Sequence, residues 1–218
     1  MFEEVAPRYD LLNRVLSFGI DRLWRREVVR TLDLRSKDRA LDLCCGTGDL
    51  AIEINFKASC FACDFTWSML KHAKAKSNQV SNPLKLVAAD TLSLPFPSNT
   101  FDAATIAFGI RNLSNINDGL RELYRVLKPG GNIAILEFSH PQHFWLKLPY
   151  KLYLNVIVPN IGKLLSRRRT AYQYLAESII GFAKPDELNE IMIQNGFHNS
   201  QYKQLTGGIV AIHYGQKR

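Results

Sequence analysis

Four carboxylates fall at or just after the ends of apolar, strand-like runs: Asp42 in Leu41-Asp-Leu43, Asp49 after Cys44-Cys-Gly-Thr-Gly48, Asp64 closing Ser59-Cys-Phe-Ala-Cys63, and Asp90 after Leu84-Lys-Leu-Val-Ala88. A glycine turn at the end of one strand, followed by an acid at the end of the next, describes a nucleoside pocket. Gly46-Thr-Gly-Asp-Leu-Ala51 formally meets the dinucleotide fingerprint with alanine in the last place. The charges separate the possible ligands. A pyrophosphate is drawn to bare N–H groups at a helix N-terminus with no anion beside them, whereas a rim of carboxylates repels it and attracts a cation. S-adenosylmethionine, with a sulfonium, an ammonium and no phosphate, suits that field better than NAD. Gly46 and Gly48 then permit close backbone approach to its amino-acid end, and Asp64 accepts from both ribose hydroxyls. The plainer reading of Asp49 is an N-cap on the helix it begins.

Strand-like and amphipathic helical runs must alternate to place these residues, and between residues 38 and 140 they do. The expected strands are Arg39 to Leu43, Ser59 to Cys63, Leu84 to Ala88, Phe101 to Ala107 and Asn132 to Phe138. Helices are expected over Asp49 to Phe56, Thr66 to Lys76 and Ile116 to Leu127, the last stopped by Lys128-Pro-Gly-Gly131. This is an α/β chain with a parallel sheet, in which ligands bind beyond the carboxyl ends of the strands, where Phe108-Gly-Ile-Arg-Asn112 also emerges. Before the sheet, Tyr9 to Leu16 and Arg22 to Val29 read as helical with an apolar stripe and a basic face, a cover for the ligand edge. After it, His143 to Pro159 is apolar and aromatic with interspersed lysines, and Pro149 and Pro159 argue against one long helix. A helix from Asp186 to Gln194 precedes two strand-like runs, Asn199 to Leu205 and Ile209 to Tyr214, which a tight turn at Gly207-Gly208 would join as an antiparallel edge hairpin. The 218 residues read as one domain: a helical cover over 1–37, a cofactor-binding core over 38–139, an insertion over 140–182, and a closing helix and hairpin over 183–218.

Composition narrows the setting. The N-terminus carries Glu3 and Glu4 rather than an apolar run, against a secretory signal, and no apolar stretch reaches the roughly 20 residues a membrane span needs. The formal charge is +8, with Arg22, Arg25, Arg26 and Arg30 clustered early and Arg167-Arg-Arg169 late, a balance that suits nucleic acid or an anionic membrane. Cys44, Cys45, Cys60 and Cys63 read as buried free thiols. Cys60 and Cys63 form a CxxC, but residues three apart on a strand point to opposite faces and cannot share an ion. The five histidines show no ligand spacing either, so no metal is expected. The Asn/Asp-Pro-Pro-aromatic signature of base methylation does not follow the fourth strand, which sets nucleic acid aside as a partner.

Phe2-Glu-Glu-Val-Ala-Pro-Arg-Tyr-Asp-Leu-Leu-Asn13, the glycine turn, Leu94 to Asp102, Ala107-Phe-Gly-Ile-Arg-Asn112, Tyr124-Arg-Val-Leu-Lys-Pro-Gly-Gly131, Tyr172 to Ser178 and Leu205-Thr-Gly-Gly-Ile-Val210 occur in order along nearly the whole chain. In these the sequence resembles the ubiquinone/menaquinone biosynthesis C-methyltransferases, the UbiE/COQ5 family. The resemblance implies a class I, Rossmann-like methyltransferase fold with seven strands and an antiparallel edge hairpin. It also implies methyl transfer from S-adenosylmethionine to a ring carbon of a polyprenylated quinol. Thr47, Asp64, and Asp90 with Thr91 match positions the family uses on the cofactor, Asp90 toward the adenine, while Arg111, Asn112 and Tyr9 match positions it is thought to use in catalysis. Arg111 is then assigned to oxyanion stabilisation or to polarising a water that takes the ring proton, since a guanidinium is no free base at neutral pH. Asn112 and Tyr9 would orient the quinol oxygens. Without the family motif these three read as a surface salt bridge, a strand-end turn and core packing.

The chain departs from the pattern at Cys44, where the motif most often has glycine and an ordinary backbone conformation is therefore expected, at Trp67, at Ala107, where many relatives carry serine, and at Arg167 to Arg169. Residues 143–169 are expected to grip a polyprenyl tail while Lys147, Lys151, Lys163 and Arg167 to Arg169 meet anionic lipid, placing the protein in the cytoplasm at the inner face of a membrane; an ordinary packed insertion is the alternative. A soluble aromatic acceptor, or a non-catalytic scaffold of quinone synthesis, would share the cofactor pocket, and homodimerisation is left open.

Overall fold

The computed structural model describes Ala6, residues 9–160 and residues 169–218, without the side chains of 169–172. Apart from Ala6, the start of the family motif before Tyr9 lies outside the described residues, as do Lys163, Arg167, Arg168 and the side chain of Arg169. Helices α1 (Tyr9–Leu16) and α2 (Asp21–Thr31) precede β1 (Arg39–Leu43), after which come α3 (Asp49–Asn55), β2 (Ser59–Asp64), α4 (Trp67–Ser77), β3 (Lys85–Ala88), β4 (Phe101–Ala107), α5 (Ile116–Val126) and β5 (Leu127–Phe138). The chain closes with α6 (Phe144–Leu152), α7 (Arg169–Ile180), α8 (Pro185–Gln194), β6 (Phe197–Leu205) and β7 (Val210–Lys217). The seven strands lie in the order β3-β2-β1-β4-β5-β7-β6. The first five pair in parallel. β7 returns antiparallel between β5 and β6, so the C-terminal hairpin forms the edge.

The two-residue period of the strands assigns their side chains to opposite layers. Leu41, Leu43, Cys63, Ile106, Ile133 and Ile135 pack with α5 and α8. Ala40, Cys60, Ala62, Ala134, Leu136 and Ile212 pack with α2 and α3. Cys60 and Cys63 thus sit in different layers as free thiols. Among the described residues no helix is long and apolar enough to cross a membrane.

Four expectations change. The helix beginning at Phe144 continues through Pro149 into a π turn over Tyr153–Ile157 and a further helical turn at 158–160, in place of a proline-broken loop. Pro149 removes one ladder donor, but Tyr150, Leu154 and Val158 lie one helical turn apart and pack on Leu12, Ala176 and Ile179, so burial of that stripe outweighs the lost bond. β5 begins at Leu127, paired with Phe101, and the Pro-Gly-Gly segment is a register shift within it rather than a loop before it. Cys44 adopts φ 51, the left-handed conformation that its non-glycine identity argued against. Such a residue costs about 1–2 kcal/mol; its thiol packs beside Thr91 at 3.6 Å, and a Cβ on Gly109 would lie 2.4 Å from the Cβ of Cys44, so the surrounding packing holds it. Arg25, read as part of a basic surface, is buried against Asp21.

Candidate active site

The glycine turn leaves β1 and starts α3. Gly48 has φ 86, which favours glycine, and a Cβ there would meet Ala73 and Leu84 at 3.3 Å, so those neighbours would have to give by a few tenths of an ångström. Gly46, with φ 55, donates its N–H to one oxygen of Asp64 at 2.8 Å, while Thr66 N–H reaches the other at 2.8 Å. Burial raises the Asp64 pKa, and these two donors oppose the shift. The Asp64 carboxylate retains acceptor capacity for a further donor.

The four carboxylates do not form one anionic rim. Asp42 is buried beneath the turn and accepts from the Thr105 hydroxyl at 2.6 Å, its other oxygen finding no partner among the described residues. Burial lifts its pKa to about 7, so it carries a reduced charge at neutral pH. Asp49 makes no side-chain cap on α3, whose N-cap is Gly48, and instead binds Lys76 at 2.5 Å. Burial opposes its ionisation, yet the Lys76 ammonium prevails and holds its pKa below the usual range. Asp64 and Asp90 are the acids left at the strand ends. Asp90 is exposed and turns one oxygen onto Leu92 N–H at 2.9 Å, with Thr91 buried behind it.

Lys76 also binds Asp10 at 2.5 Å and the Thr47 hydroxyl at 2.9 Å, and that hydroxyl donates to Asp10 at 2.5 Å. This network fastens α1 to the glycine turn. Thr47 is therefore occupied by α1, a partner its sequence neighbours do not reveal. One residue earlier, the Tyr9 ring packs over the turn, 3.7 Å from where a Gly46 Cβ would be. Burial raises the Tyr9 pKa, opposed by Asn13, Arg25 and Arg111.

Beside this turn lies a cavity of about 330 Å³ enclosed by α1, α2, α6, α7 and the 3-10 turn Ile110–Asn112. Tyr9, Arg111 and Asn112 all line it, so the three residues matched by family motif share one site. Leu12, Leu16, Leu154, Val158 and Ile179 supply apolar wall. Arg111 donates through Nη1 to the Phe108 carbonyl at 2.7 Å and to Glu137 at 2.5 Å. The salt bridge anticipated as a surface contact is a buried one, with side chains 7 % and 1 % exposed. Burial raises the Glu137 pKa against the pull of Arg111. The Asn112 carbonyl oxygen accepts from the Tyr174 hydroxyl at 3.1 Å, which ties α7 to the site.

Glu137, Asp21, Asp10 and Lys76 were not singled out from the sequence, and Arg25 was read only as surface charge. Glu137 is the one acid in Ile133-Ala-Ile-Leu-Glu-Phe138, a buried strand in which a carboxylate must find a partner. Asp21 and Arg25 share the i, i+4 stripe with Trp24 and Val28, which marks them as inward-facing. Nothing local signals Asp10 or Lys76, whose partners lie 37 and 29 residues away along the chain.

A family model described as the ubiE/COQ5 methyltransferase family matches residues 1–217. The chain belongs to that family. It is 44 % identical over 220 residues to a demethylmenaquinone methyltransferase of Thermus thermophilus, covering 100 % of both chains. It is 43 % identical over 223 residues to a ubiquinone/menaquinone biosynthesis C-methyltransferase UbiE of Geotalea daltonii, covering 100 % of this chain and 94 % of that protein. A solved S-adenosylmethionine-dependent methyltransferase from Aquifex aeolicus shares the fold with a TM-score of 0.65 at 19 % identity, over 89 % of each chain.

The methyltransferase takes S-adenosylmethionine as its methyl donor. Its residues fit that group: a glycine turn with positive φ at Gly46 and Gly48, and a carboxylate at the end of β2 with acceptor capacity to spare. Among the described residues no three histidine, cysteine or acidic side chains gather as a metal site.

Proposed function

We propose that this methyltransferase methylates a ring carbon of a polyprenylated quinol. The observation that carries the reading is a largely apolar cavity lined by Tyr9, Asn112 and Arg111, with Tyr9 packed against Gly46 of the glycine turn. Gly46, Gly48 and Asp64 would hold the methyl donor, with Thr47 contributing its backbone in the turn while its hydroxyl fastens α1, Asp90 and Thr91 at the adenine end and Asp42 beneath the turn. Bound there, the donor supplies an electrophilic methyl group.

A quinol ring carbon becomes a nucleophile when the neighbouring hydroxyl loses its proton, and the added ring hydrogen must later leave as a proton. Arg111 stabilises the oxyanion by charge-assisted hydrogen bonds, since Nη1 is spent on Glu137 and Phe108 while Nε finds no acceptor among the described residues. Asn112, with its carbonyl held by Tyr174, and Tyr9, fixed over Gly46, orient the ring between cofactor turn and cavity. Helices α1, α6 and α7 wall the cavity with mostly apolar side chains, and the low dielectric of that lining strengthens each of these interactions.

The prenyl tail leaves along the apolar wall toward α6, where Phe144, Trp145, Leu148 and Leu152 are exposed, Phe144 at 83 %. Lys147 and Lys151 stand among them, a pattern suited to an anionic membrane surface on which the apolar side chains insert and the ammonium groups meet headgroups. A tritiated-methyl assay with a short-tailed demethylquinol tests the reaction; label appearing only in water-soluble acceptors would overturn it. Sedimentation with anionic liposomes at low salt tests the membrane contact, and protein remaining in the supernatant would reject it.

A further inference from the structure

The cavity holds a second buried guanidinium that the reaction as described leaves without a role. Arg25 and Asp21 form an ion pair with side chains 8 % and 4 % exposed. The other Asp21 oxygen accepts from the Ser17 hydroxyl at 2.9 Å. Both residues line the same cavity as Arg111. The two guanidinium groups are joined by ring contacts: Arg25 lies over Phe108 at 5.7 Å, Phe108 neighbours Phe138 at 4.7 Å, and Arg111 lies over Phe138 at 5.4 Å. Each cation is neutralised by its own buried carboxylate, so the cavity gains directed donors without a net positive charge that would repel a cationic methyl donor.

Burying such a pair for stability alone is a poor bargain, because apolar side chains of the same volume do as well or better. Arg25 also has capacity to spare: Nη1 is taken by Asp21, and its other nitrogens find no acceptor among the described residues. A para-quinol brings two oxygens into the cavity, and each loses its water on entry. An oxygen left without a partner there costs about 1–3 kcal/mol. Arg111, Asn112 and Tyr9, whose ring sits against Gly46 on the cofactor side, can serve the oxygen beside the carbon that receives the methyl group, which leaves the oxygen across the ring without a charged donor.

We propose that Arg25, held in place by Asp21, donates to this second ring oxygen and thereby makes the enzyme select 1,4-dioxygenated rings over monohydroxylated ones. The inference rests on the quinol reading above and adds to it a residue that sets specificity. A charged hydrogen bond of about 1.5–3 kcal/mol corresponds to a preference of roughly 10- to 150-fold.

The test compares, under anaerobic conditions, a short-tailed para-quinol with the same compound lacking the distal hydroxyl, so that the retained hydroxyl adjoins the accepting carbon. Wild-type enzyme should favour the quinol in kcat/KM by the factor above; equal values overturn the proposal without any variant. In the double variant Arg25→Met/Asp21→Asn, which removes both charges together and leaves no lone ion buried, the preference should fall to within a few-fold. That fall should come from loss on the quinol, with kcat/KM for the monohydroxylated compound and calorimetric affinity for S-adenosylhomocysteine little changed. Equal losses on both compounds would make the pair merely structural and overturn the proposal. Wild-type enzyme that methylates neither compound overturns the quinol reading and this inference with it, whereas methylation of both with no preference overturns this inference alone.

Discussion

Replacing Glu137 by glutamine removes one charge from the Arg111 pair while keeping its shape and an acceptor for the Phe138 N–H, which reaches the carboxylate at 2.8 Å. Arg111 would then keep the Phe108 carbonyl and a neutral amide in a setting where its side chain is only 7 % exposed. Breaking a buried ion pair by removing one partner costs about 3–5 kcal/mol, and the retained amide places Glu137→Gln near the lower end, about 3 kcal/mol. For a chain of 218 residues each kcal/mol moves Tm by roughly 2–4 °C, so a fall of roughly 6–12 °C is expected by circular dichroism. The double variant Arg111→Met/Glu137→Met buries no charge and should recover most of that loss, because apolar replacement of a buried pair is often neutral or stabilising. Turnover should behave differently: Glu137→Gln lowers kcat through a misplaced guanidinium, and the double variant, though stable, should be inactive. A Glu137→Gln protein whose Tm lies within about 2 °C of wild type would refute the reasoning, since Arg111 would then not be held by this contact. So would a double variant that regains turnover along with stability.

Arg111→Ala should retain calorimetric binding of S-adenosylmethionine and lose methyl transfer to the quinol; retained turnover removes it from the mechanism. Asp64→Ala should weaken that binding by roughly 10- to 100-fold, the worth of charged hydrogen bonds lost from one carboxylate, with unchanged affinity excluding Asp64 as a ligand. Asp42, whose folded pKa of about 7 lies above its ordinary value of 3.8, contributes stability that is complete below pH 4 and lost as pH rises through 7. Urea unfolding from pH 5 to pH 8 should therefore show wild type weakening relative to Asp42→Asn, and parallel curves would contradict the burial argument. Phe144→Asp/Leu148→Asp should abolish liposome binding while leaving methylation of a detergent-dissolved short-tailed quinol intact; unchanged sedimentation would move the membrane contact elsewhere.

The sheet and its crossovers were legible because hydrophobic periodicity is local, and residues such as Ile133 and Ile135 declare their layer by alternation alone. The boundaries that moved were those where packing decided. Pro149 stays helical because Tyr150, Leu154 and Val158 bury one face, and Cys44 enters the left-handed region because Gly109 leaves space for its Cβ. At the site, motif alone brought Tyr9, Arg111 and Asn112 forward. Their buried environment, the pairing of Glu137 with Arg111 and the inward turn of Arg25 depend on contacts between elements distant in sequence. The anionic rim was overread for a related reason: counting carboxylates says nothing of which are neutralised by Lys76 or by burial.

Helix α1 ties these observations together, because its residues serve two sites at once. Asp10 binds Thr47 and Lys76 at the glycine turn, and Tyr9 packs over Gly46, while Tyr9, Leu12, Asn13 and Leu16 form cavity wall. The far side of that wall is held by the Tyr153 hydroxyl, which donates to the Leu16 carbonyl. Displacing α1 from the turn therefore also opens the cavity, and an intact cavity requires α1 to be seated beside the glycine turn. A methyl donor and an apolar acceptor need such a shared wall, since the reacting carbon must meet the methyl group in a space that water does not enter.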